Sequence, residues 1–160
     1  MIKITRKYIP VGTKRRGGQK RPGTKFIVSH DTGNPNSTAM QNVDYYIKSA
    51  NTQEASANVF IDDKYIIECI PVDEKAWHVR RSVSKDNEMF SADANDYAPG
   101  IELCYFPGDA QRSVLAYNNY VDYHAYLCKK YSLDPLKSIA GHYMLDPSRR
   151  TDPLNAFKTI

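Results

Sequence analysis

The chain has 160 residues, of which 41% are hydrophobic and 25% are charged, enough to build one domain around one ordinary core. No apolar run approaches the length of a membrane span, and the N-terminal residues MIKITRKYIP lack the apolar stretch of a signal peptide. The three cysteines form no CxxC pair, which favours buried, reduced thiols over a disulfide scaffold. We therefore expect a single soluble domain that is made and folded in a cytoplasm and does not insert into a membrane.

The net charge of +4 is unevenly distributed along the chain. Residues 1–25 contain nine lysines and arginines and no acidic residue, which leaves 13 basic and 18 acidic residues in the remainder. A basic arm of this kind attracts polyanions such as nucleic acid, anionic lipid or an anionic cell-wall polymer. A solvated loop without a partner explains so short a run at least as well, and no recognised nucleic-acid motif is present.

The first half of the chain predicts one strand, one helix and a hairpin. KFIVSH, residues 25–30, is a strand candidate because it is rich in β-branched and aromatic residues and precedes the turn-forming DTGNPNS. Ser37 is expected to cap a helix over residues 38–48, in which apolar residues recur at helical spacing. ANVFID and YIIECIP, joined by the turn DDK, are typical of a β-hairpin.

The second half predicts a long loop, two strands and the longest helix. Residues 80–99 show little periodicity and predict a loop, whereas GIELCYF and the shorter SIA predict strands. Residues 109–131 predict a helix capped by Asp109, with an apolar stripe formed by Val114, Tyr117, Val121, His124 and Cys128. Strands and helices alternate without strict βαβ regularity, which favours an α/β or α+β fold with a mixed sheet.

Three of the four histidines lie where side chains could reach a cleft. His30 ends an apolar strand and opens into a loop, His142 follows SIA and a glycine, and His78 follows Trp77 beside the long loop. His124 lies on the apolar stripe of the long helix and is better explained as a core residue. A catalytic zinc needs three protein ligands and an open fourth position. His30, His142 and either Asp146 or Asp152 satisfy that need, and residue types alone do not choose between the aspartates.

Glu102 is a carboxylate within the apolar strand GIELCYF. Such a group must be paired, protonated or functional, because removing its charge from water is costly and raises its pKa. A salt bridge to a buried arginine or a hydrogen bond to a tyrosine is the common explanation. Beside a zinc-bound water, a glutamate of raised pKa is suited to act first as a general base and then as a general acid.

Four segments, in this order, resemble the zinc-dependent N-acetylmuramoyl-L-alanine amidases of bacteriophage endolysins, bacterial autolysins and peptidoglycan-recognition proteins: FIVSHDTGNP, ASANVFIDDKYIIECIPVDEKAWHVR, APGIELCYF and GHYMLDPSRRTDP. The resemblance implies a single α/β domain, with a central mixed β-sheet flanked by helices and a zinc cleft at the strand ends. It also implies that one zinc ion is held by His30, His142 and Asp152, with Glu102 as the catalytic carboxylate.

The resemblance extends to the surroundings of the zinc. It implies that Thr32, Trp77 and His78 contact substrate in the cleft. Arg150 stands where relatives often carry lysine, and an arginine can stabilise an oxyanion but cannot donate a proton as an acid. Asn58 stands where many members have a histidine that is not usually a ligand.

The activity implied is hydrolysis of the amide bond between N-acetylmuramic acid and L-alanine of peptidoglycan, which lyses the cell wall. Two alternatives stay open, namely a non-catalytic peptidoglycan-binding module of the same fold and, with less support, a nucleic-acid-binding protein that uses residues 1–25. The resemblance to endolysins leads us to expect a monomer, made in a bacterial host cytoplasm and acting on the wall after release. It further leads us to expect an isolated catalytic domain over residues 1–160, separated from a C-terminal wall-binding domain. Residues 1–25, through Arg15, Arg16, Lys20 and Arg21, are then expected to bind anionic wall polymers.

Overall fold

A computed structural model describes residues 3–81 and 84–160 of the chain. Its strands are β1 (Ile4–Arg6), β2 (Ile27–Asp31), β3 (Val59–Ile61), β4 (Ile66–Glu68), β5 (Gly100–Leu103) and β6 (Ile139–Gly141). They form one six-stranded sheet in the order β1-β4-β3-β5-β2-β6. β3 and β4 pair antiparallel as the predicted hairpin, and the other neighbours run parallel. The predicted α/β fold with a central mixed sheet is therefore confirmed.

Helices lie on both faces of this sheet. They are α1 (Ala39–Lys48), α2 (Asp86–Phe90), α3 (Ala94–Tyr97), α4 (Ala110–Tyr131), α5 (His142–Leu145) and α6 (Leu154–Phe157). Within the described residues, no helix is both long enough and apolar enough to cross a membrane. All three cysteines are free and buried, as predicted.

The two long helices cover opposite faces. Ser29 of β2 contacts His124 of α4, with 2.9 Å between Oγ and Nε2, so α4 covers the face to which Ser29 points. Tyr46 of α1 packs edge-on against Phe60 of β3, with 5.0 Å between ring centroids. Phe60 is in register with Glu102, whereas Ser29 pairs with the residue before Glu102. Because successive strand residues alternate, α1 covers the face to which Glu102 points.

The N-terminus of α1 differs by one residue from the prediction. Thr38, rather than Ser37, is the cap: its hydroxyl accepts a hydrogen bond from the Gln41 amide, and the Gln41 side chain accepts one from the Thr38 amide. This reciprocal capping requires a glutamate or glutamine three residues after the cap, and Gln41 stands three residues after Thr38.

The predicted loop over residues 80–99 contains α2 and α3, so that prediction was wrong in part. Asp93 caps α3 by accepting a hydrogen bond from the Asn95 amide. Asp86 is buried and accepts hydrogen bonds from the amides of Asn87 and Ala94. Carboxylate–backbone bonds organise this stretch, and apolar periodicity does not reveal them. Residues 82 and 83 of the predicted loop lie outside the described part of the chain.

The buried face of α4 also differs from the predicted stripe. Val114 and Val121 are exposed, whereas the buried residues are Ser113, Ala116, Tyr120, Tyr123, His124, Leu127 and Cys128. Ser113 and Tyr120 tolerate burial because their hydroxyls are hydrogen-bonded, Ser113 to the backbone of Phe106 and Tyr120 to the carbonyl of His30. The predictions for His124 and Cys128 are confirmed.

Residues 3–25 do not form a free basic arm. β1 pairs with β4 at the sheet edge, and Arg15, Arg16 and Arg21 are buried. The Arg15 guanidinium donates to the carbonyl and hydroxyl of Ser49, and the Arg16 guanidinium forms two hydrogen bonds, of 2.8 and 3.0 Å, with Glu74. Buried arginines cannot contact a wall polymer, so binding through residues 1–25 stays a prediction that Arg15, Arg16 and Arg21 do not support.

We predict that Arg16→Ala lowers the free energy of unfolding by about 3–5 kcal/mol, because it leaves the buried carboxylate of Glu74 without its partner. The matched variant Lys20→Ala removes an exposed ion pair with Asp73, which solvent screens, and should lower the free energy of unfolding far less. Denaturant unfolding of both variants measures the difference. Equal, small losses would contradict a structural role for Arg16.

Candidate metal and catalytic site

The three predicted ligands come from adjacent strand ends. His30 lies on β2, and His142 begins α5 immediately after β6, the parallel neighbour of β2. Asp152 precedes α6 and is drawn back to this edge by a hydrogen bond of 3.0 Å from the Tyr143 amide to its carbonyl. Gly141 leaves room for this return, because a Cβ there would lie 2.5 Å from the Tyr143 ring. The chain thus folds back across the ten residues that separate His142 from Asp152.

The side chains of the three residues converge on one point. The Asp152 carboxylate oxygen Oδ2 lies 2.9 Å from Nδ1 of His30 and 3.1 Å from Nδ1 of His142. One ligand atom from each residue lies within 4.8 Å of the others. Asp146 is separate: its buried carboxylate pairs with Arg149, and its carbonyl accepts hydrogen bonds from two following amides. Of the two candidate aspartates, it is therefore Asp152 that lies with His30 and His142.

The protonation states of His30 and Asp152 suit a divalent cation. Burial lowers the pKa of His30 to about 4, so its ring is neutral near neutral pH. Burial alone would raise the pKa of Asp152, but the contacts of its carboxylate with His142 and His30 lower it below its ordinary value. Imidazole nitrogens and a carboxylate oxygen are donors that bind Zn²⁺, so the residues present fit that ion.

Glu102 lies beside this cluster, on the strand next to that of His30. Glu102 lies on β5 and is in register with His30 of the neighbouring strand β2, so the two side chains point to the same face of the sheet. Its Oε2 atom is buried, and within the described residues it has no hydrogen-bond partner. Burial raises the pKa of Glu102 well above its usual value, the charges of Asp152 and Asp31 raise it further, and Arg150 opposes them. The carboxylate is therefore poised to hold or release a proton.

A cavity of about 490 Å³ opens over these groups. It is lined by all eight site residues predicted from the sequence: His30, Thr32, Trp77, His78, Glu102, His142, Arg150 and Asp152. Arg150 is exposed, while Thr32 and Trp77 are partly exposed. The fold thus gathers residues that lie up to 122 positions apart in sequence around one cleft.

The ring of His78 makes two contacts within the protein. Its Nδ1 lies 3.1 Å from Nε2 of His30, and its Nε2 lies 3.0 Å from the carbonyl oxygen of Ala98. Both ring nitrogens are therefore engaged by the protein, although the ring also lines the cleft, and the contact of His78 with substrate stays a prediction. The contacts of Thr32 and Trp77 with substrate stay predictions.

Asp31 was not predicted from the sequence to belong to the site. Its buried carboxylate accepts hydrogen bonds from the amides of Gly33 (3.1 Å) and Ala156 (3.2 Å), and so ties the end of β2 to α6. This contact helps to hold the segment that carries Asp152 against the segment that carries His30. The available signal was an acidic residue directly after His30 at a strand end.

Comparison with known proteins agrees with this geometry. Residues 19–155 match the family described as N-acetylmuramoyl-L-alanine amidase (Amidase_2). The chain belongs to this family. The resemblance read from the four sequence segments is thereby confirmed.

Among relatives, the chain is 32% identical over 152 residues to the N-acetylmuramoyl-L-alanine amidase BlyA of Bacillus subtilis (strain 168). It is 29% identical over 146 residues to the N-acetylmuramoyl-L-alanine amidase CwlL of Bacillus licheniformis. Each match covers 89% of this chain but 40% of the relative, so the chain spans well under half the length of these proteins.

Solved structures share the fold. PlyL superposes with a TM-score of 0.72 at 28% identity, covering 98% of this chain and 89% of that chain. The catalytic domain of XlyA superposes with a TM-score of 0.74 at 21% identity, covering 99% and 94% respectively. These two proteins therefore share the overall fold of this chain.

Proposed function

We propose that this chain is a zinc-dependent hydrolase that cleaves the amide bond between N-acetylmuramic acid and L-alanine in peptidoglycan. The observation that carries the proposal is the convergence of His30, His142 and Asp152 beside the Glu102 carboxylate, whose Oε2 has no hydrogen-bond partner among the described residues. The names of BlyA and CwlL support the choice of bond.

One zinc ion per chain would be held by His30 Nδ1, His142 Nδ1 and the Asp152 carboxylate. When bound, such an ion supplies Lewis acidity to a water molecule and to the substrate carbonyl. Three protein ligands leave a further coordination position open, which is the arrangement of a catalytic rather than a structural site. Asp152 contributes the charge of the donor set, and the two imidazoles contribute neutral lone pairs.

Proton transfer is assigned to Glu102. Its carboxylate takes a proton from the attacking water and later returns it to the departing amine of L-alanine. A raised pKa favours these two proton transfers, because a carboxylate of ordinary pKa would be a weak base and would hold the proton too briefly to deliver it. Its burial excludes competing bulk water from Oε2.

Arg150 is assigned to the developing negative charge on the substrate carbonyl oxygen. Its side chain is exposed, lines the cleft and has a fixed positive charge. A preplaced cation contributes most where charge forms in the transition state. Thr32 and Trp77 line the same cleft and are assigned to substrate contact.

The remaining expectations accompany this proposal. We expect the chain to be a monomer and to serve as the catalytic domain of an endolysin. We also expect it to be made in a bacterial host cytoplasm and to act on the wall after release. A wall-binding domain outside this chain belongs to the same expectation.

A non-catalytic peptidoglycan-binding module of the same fold is the alternative. A module that only binds needs neither a complete donor set nor a buried carboxylate of raised pKa, and this chain has both. Nucleic-acid binding through residues 1–25 is disfavoured by the burial of Arg15, Arg16 and Arg21.

Measurements of zinc content and wall lysis distinguish the hydrolase from the binding module. We expect the purified chain to contain zinc and to clear suspensions of Gram-positive cell walls, to stop after chelation and to resume when zinc is restored. A chain that sediments with walls but never clears them, with zinc bound, would favour the binding module.

A further inference from the structure

The ring of His78 connects a backbone carbonyl to a predicted metal ligand. A carbonyl oxygen only accepts hydrogen bonds, so the contact of 3.0 Å between Ala98 O and His78 Nε2 places a hydrogen on Nε2. A neutral ring then presents a lone pair at Nδ1, which lies 3.1 Å from Nε2 of His30. His30 must donate through Nε2, and its own lone pair is left on Nδ1.

The position of His78 is fixed independently of His30. The side-chain oxygen of Asn95 accepts hydrogen bonds from the amides of His78 (2.9 Å) and Val79 (3.0 Å), and its amide group donates to the Val79 carbonyl (2.7 Å). The ring packs against bare backbone at Gly100, where a Cβ would lie 2.6 Å from His78 Cγ. Asn58 holds that backbone by accepting a hydrogen bond from the Gly100 amide.

This arrangement opposes a competing tautomer of His30. The Asp152 carboxylate lies 2.9 Å from His30 Nδ1, and as a charged acceptor it attracts the ring hydrogen to that atom. A hydrogen on Nδ1 would remove the lone pair that a metal needs. With His78 in place, moving the hydrogen to Nδ1 leaves two lone pairs, on His30 Nε2 and His78 Nδ1, facing each other at 3.1 Å.

We propose that His78 is a positioning residue that fixes the orientation and tautomer of His30, so that Nδ1 of His30 is available to the metal. The inference rests on the proposed function only in taking His30 as a zinc ligand. Partners of this kind, which bond the far nitrogen of a ligating histidine, typically change metal affinity when they are replaced.

The test uses the whole chain, zinc alone as the probe and three variants. His78→Phe keeps an aromatic ring over Gly100 but removes both hydrogen bonds. His78→Asn keeps an acceptor near the place of Nδ1, and it also serves if the phenylalanine variant fails to fold. His124→Phe is the matched control, because His124 is a buried histidine that also makes two hydrogen bonds, to Ser29 and to the Tyr120 carbonyl.

We expect zinc affinity, measured by competition with a chromophoric chelator, to fall about 10- to 100-fold in His78→Phe. His78→Asn should recover most of that loss, and His124→Phe should stay within about twofold of the parent chain. Long-range proton–nitrogen NMR spectra of the metal-free parent should show His30 with its hydrogen on Nε2. The same spectra of His78→Phe should show the hydrogen on Nδ1.

The inference is overturned if the parent carries the His30 hydrogen on Nδ1. It is also overturned if His78→Phe keeps parental zinc affinity and tautomer, or if His124→Phe loses zinc as severely as His78→Phe. None of these measurements uses peptidoglycan. A parent chain with the expected tautomer and zinc affinity that leaves the amide bond intact would contradict the proposed function and leave this inference standing.

Discussion

Glu102→Gln is expected to lower the rate of peptidoglycan amide hydrolysis by about 10²- to 10⁴-fold, the usual contribution of a general acid–base group. Glutamine has nearly the shape of glutamate but cannot accept the proton of the attacking water. Zinc binding should persist, because Glu102 is not among the three convergent ligands. Wall clearing by the variant, with its zinc content measured in parallel, tests the assignment.

The same variant is expected to keep or gain stability. The folded-state pKa of Glu102 is raised, so in metal-free protein the folded chain holds a proton that the unfolded chain releases as pH rises above the ordinary carboxyl pKa. Stability therefore falls with rising pH through that window, and glutamine removes the loss. Denaturant unfolding of the metal-free protein at neutral pH measures this effect.

Glu68→Gln is the matched control for Glu102→Gln. Glu68 is a buried carboxylate on β4 that accepts a hydrogen bond of 2.6 Å from Tyr8, and the cleft is lined by other residues. The Glu68→Gln variant should retain a hydrolysis rate within about threefold of the parent rate, because Glu68 takes no part in proton transfer. Parental activity in Glu102→Gln would show that the proton is carried by another group.

Asp152→Asn is expected to lower zinc affinity by more than about 100-fold, beyond the usual effect of residues that only support a ligand. Asparagine keeps the size of the side chain but removes its negative charge, which attracts the divalent cation more strongly than neutral donors do. Hydrolysis should fall in proportion to zinc occupancy and recover in part at high zinc concentration. Metal analysis after dialysis and a chelator competition measure the loss.

Asp146→Asn is the control for Asp152→Asn, because both aspartates belong to the segment GHYMLDPSRRTDP. Asp146 pairs with Arg149 and organises the turn, so its variant should lose stability yet keep zinc within about tenfold. If Asp146→Asn lost zinc and Asp152→Asn kept it, the assignment of the third ligand would be reversed.

Much of the site was predictable from sequence because its residues stand at recognisable local positions. His30 and His142 end or follow apolar strands, and parallel strands bring such ends to one edge of a sheet. Glu102 was conspicuous as a carboxylate among apolar neighbours. The choice of Asp152 over Asp146 required the family resemblance, because both are aspartates followed by proline in the same segment.

What sequence did not predict depends on partners far away along the chain. Arg16 is buried because Glu74, 58 positions later, offers a bidentate partner. The two ring nitrogens of His78 are engaged by His30 and Ala98, 48 and 20 positions away, and no local sequence pattern reveals these contacts. The buried face of α4 includes Ser113 and Tyr120 because their hydroxyls are hydrogen-bonded, and the spacing of apolar residues does not predict such bonds.

Mass analysis of the fragments that the chain releases from purified peptidoglycan tests the proposed activity most directly. Cleavage of the amide bond predicts free stem peptides with new N-terminal L-alanine and glycan strands without new reducing ends. Fragments with new reducing sugar ends and intact links between N-acetylmuramic acid and L-alanine would contradict the proposed function.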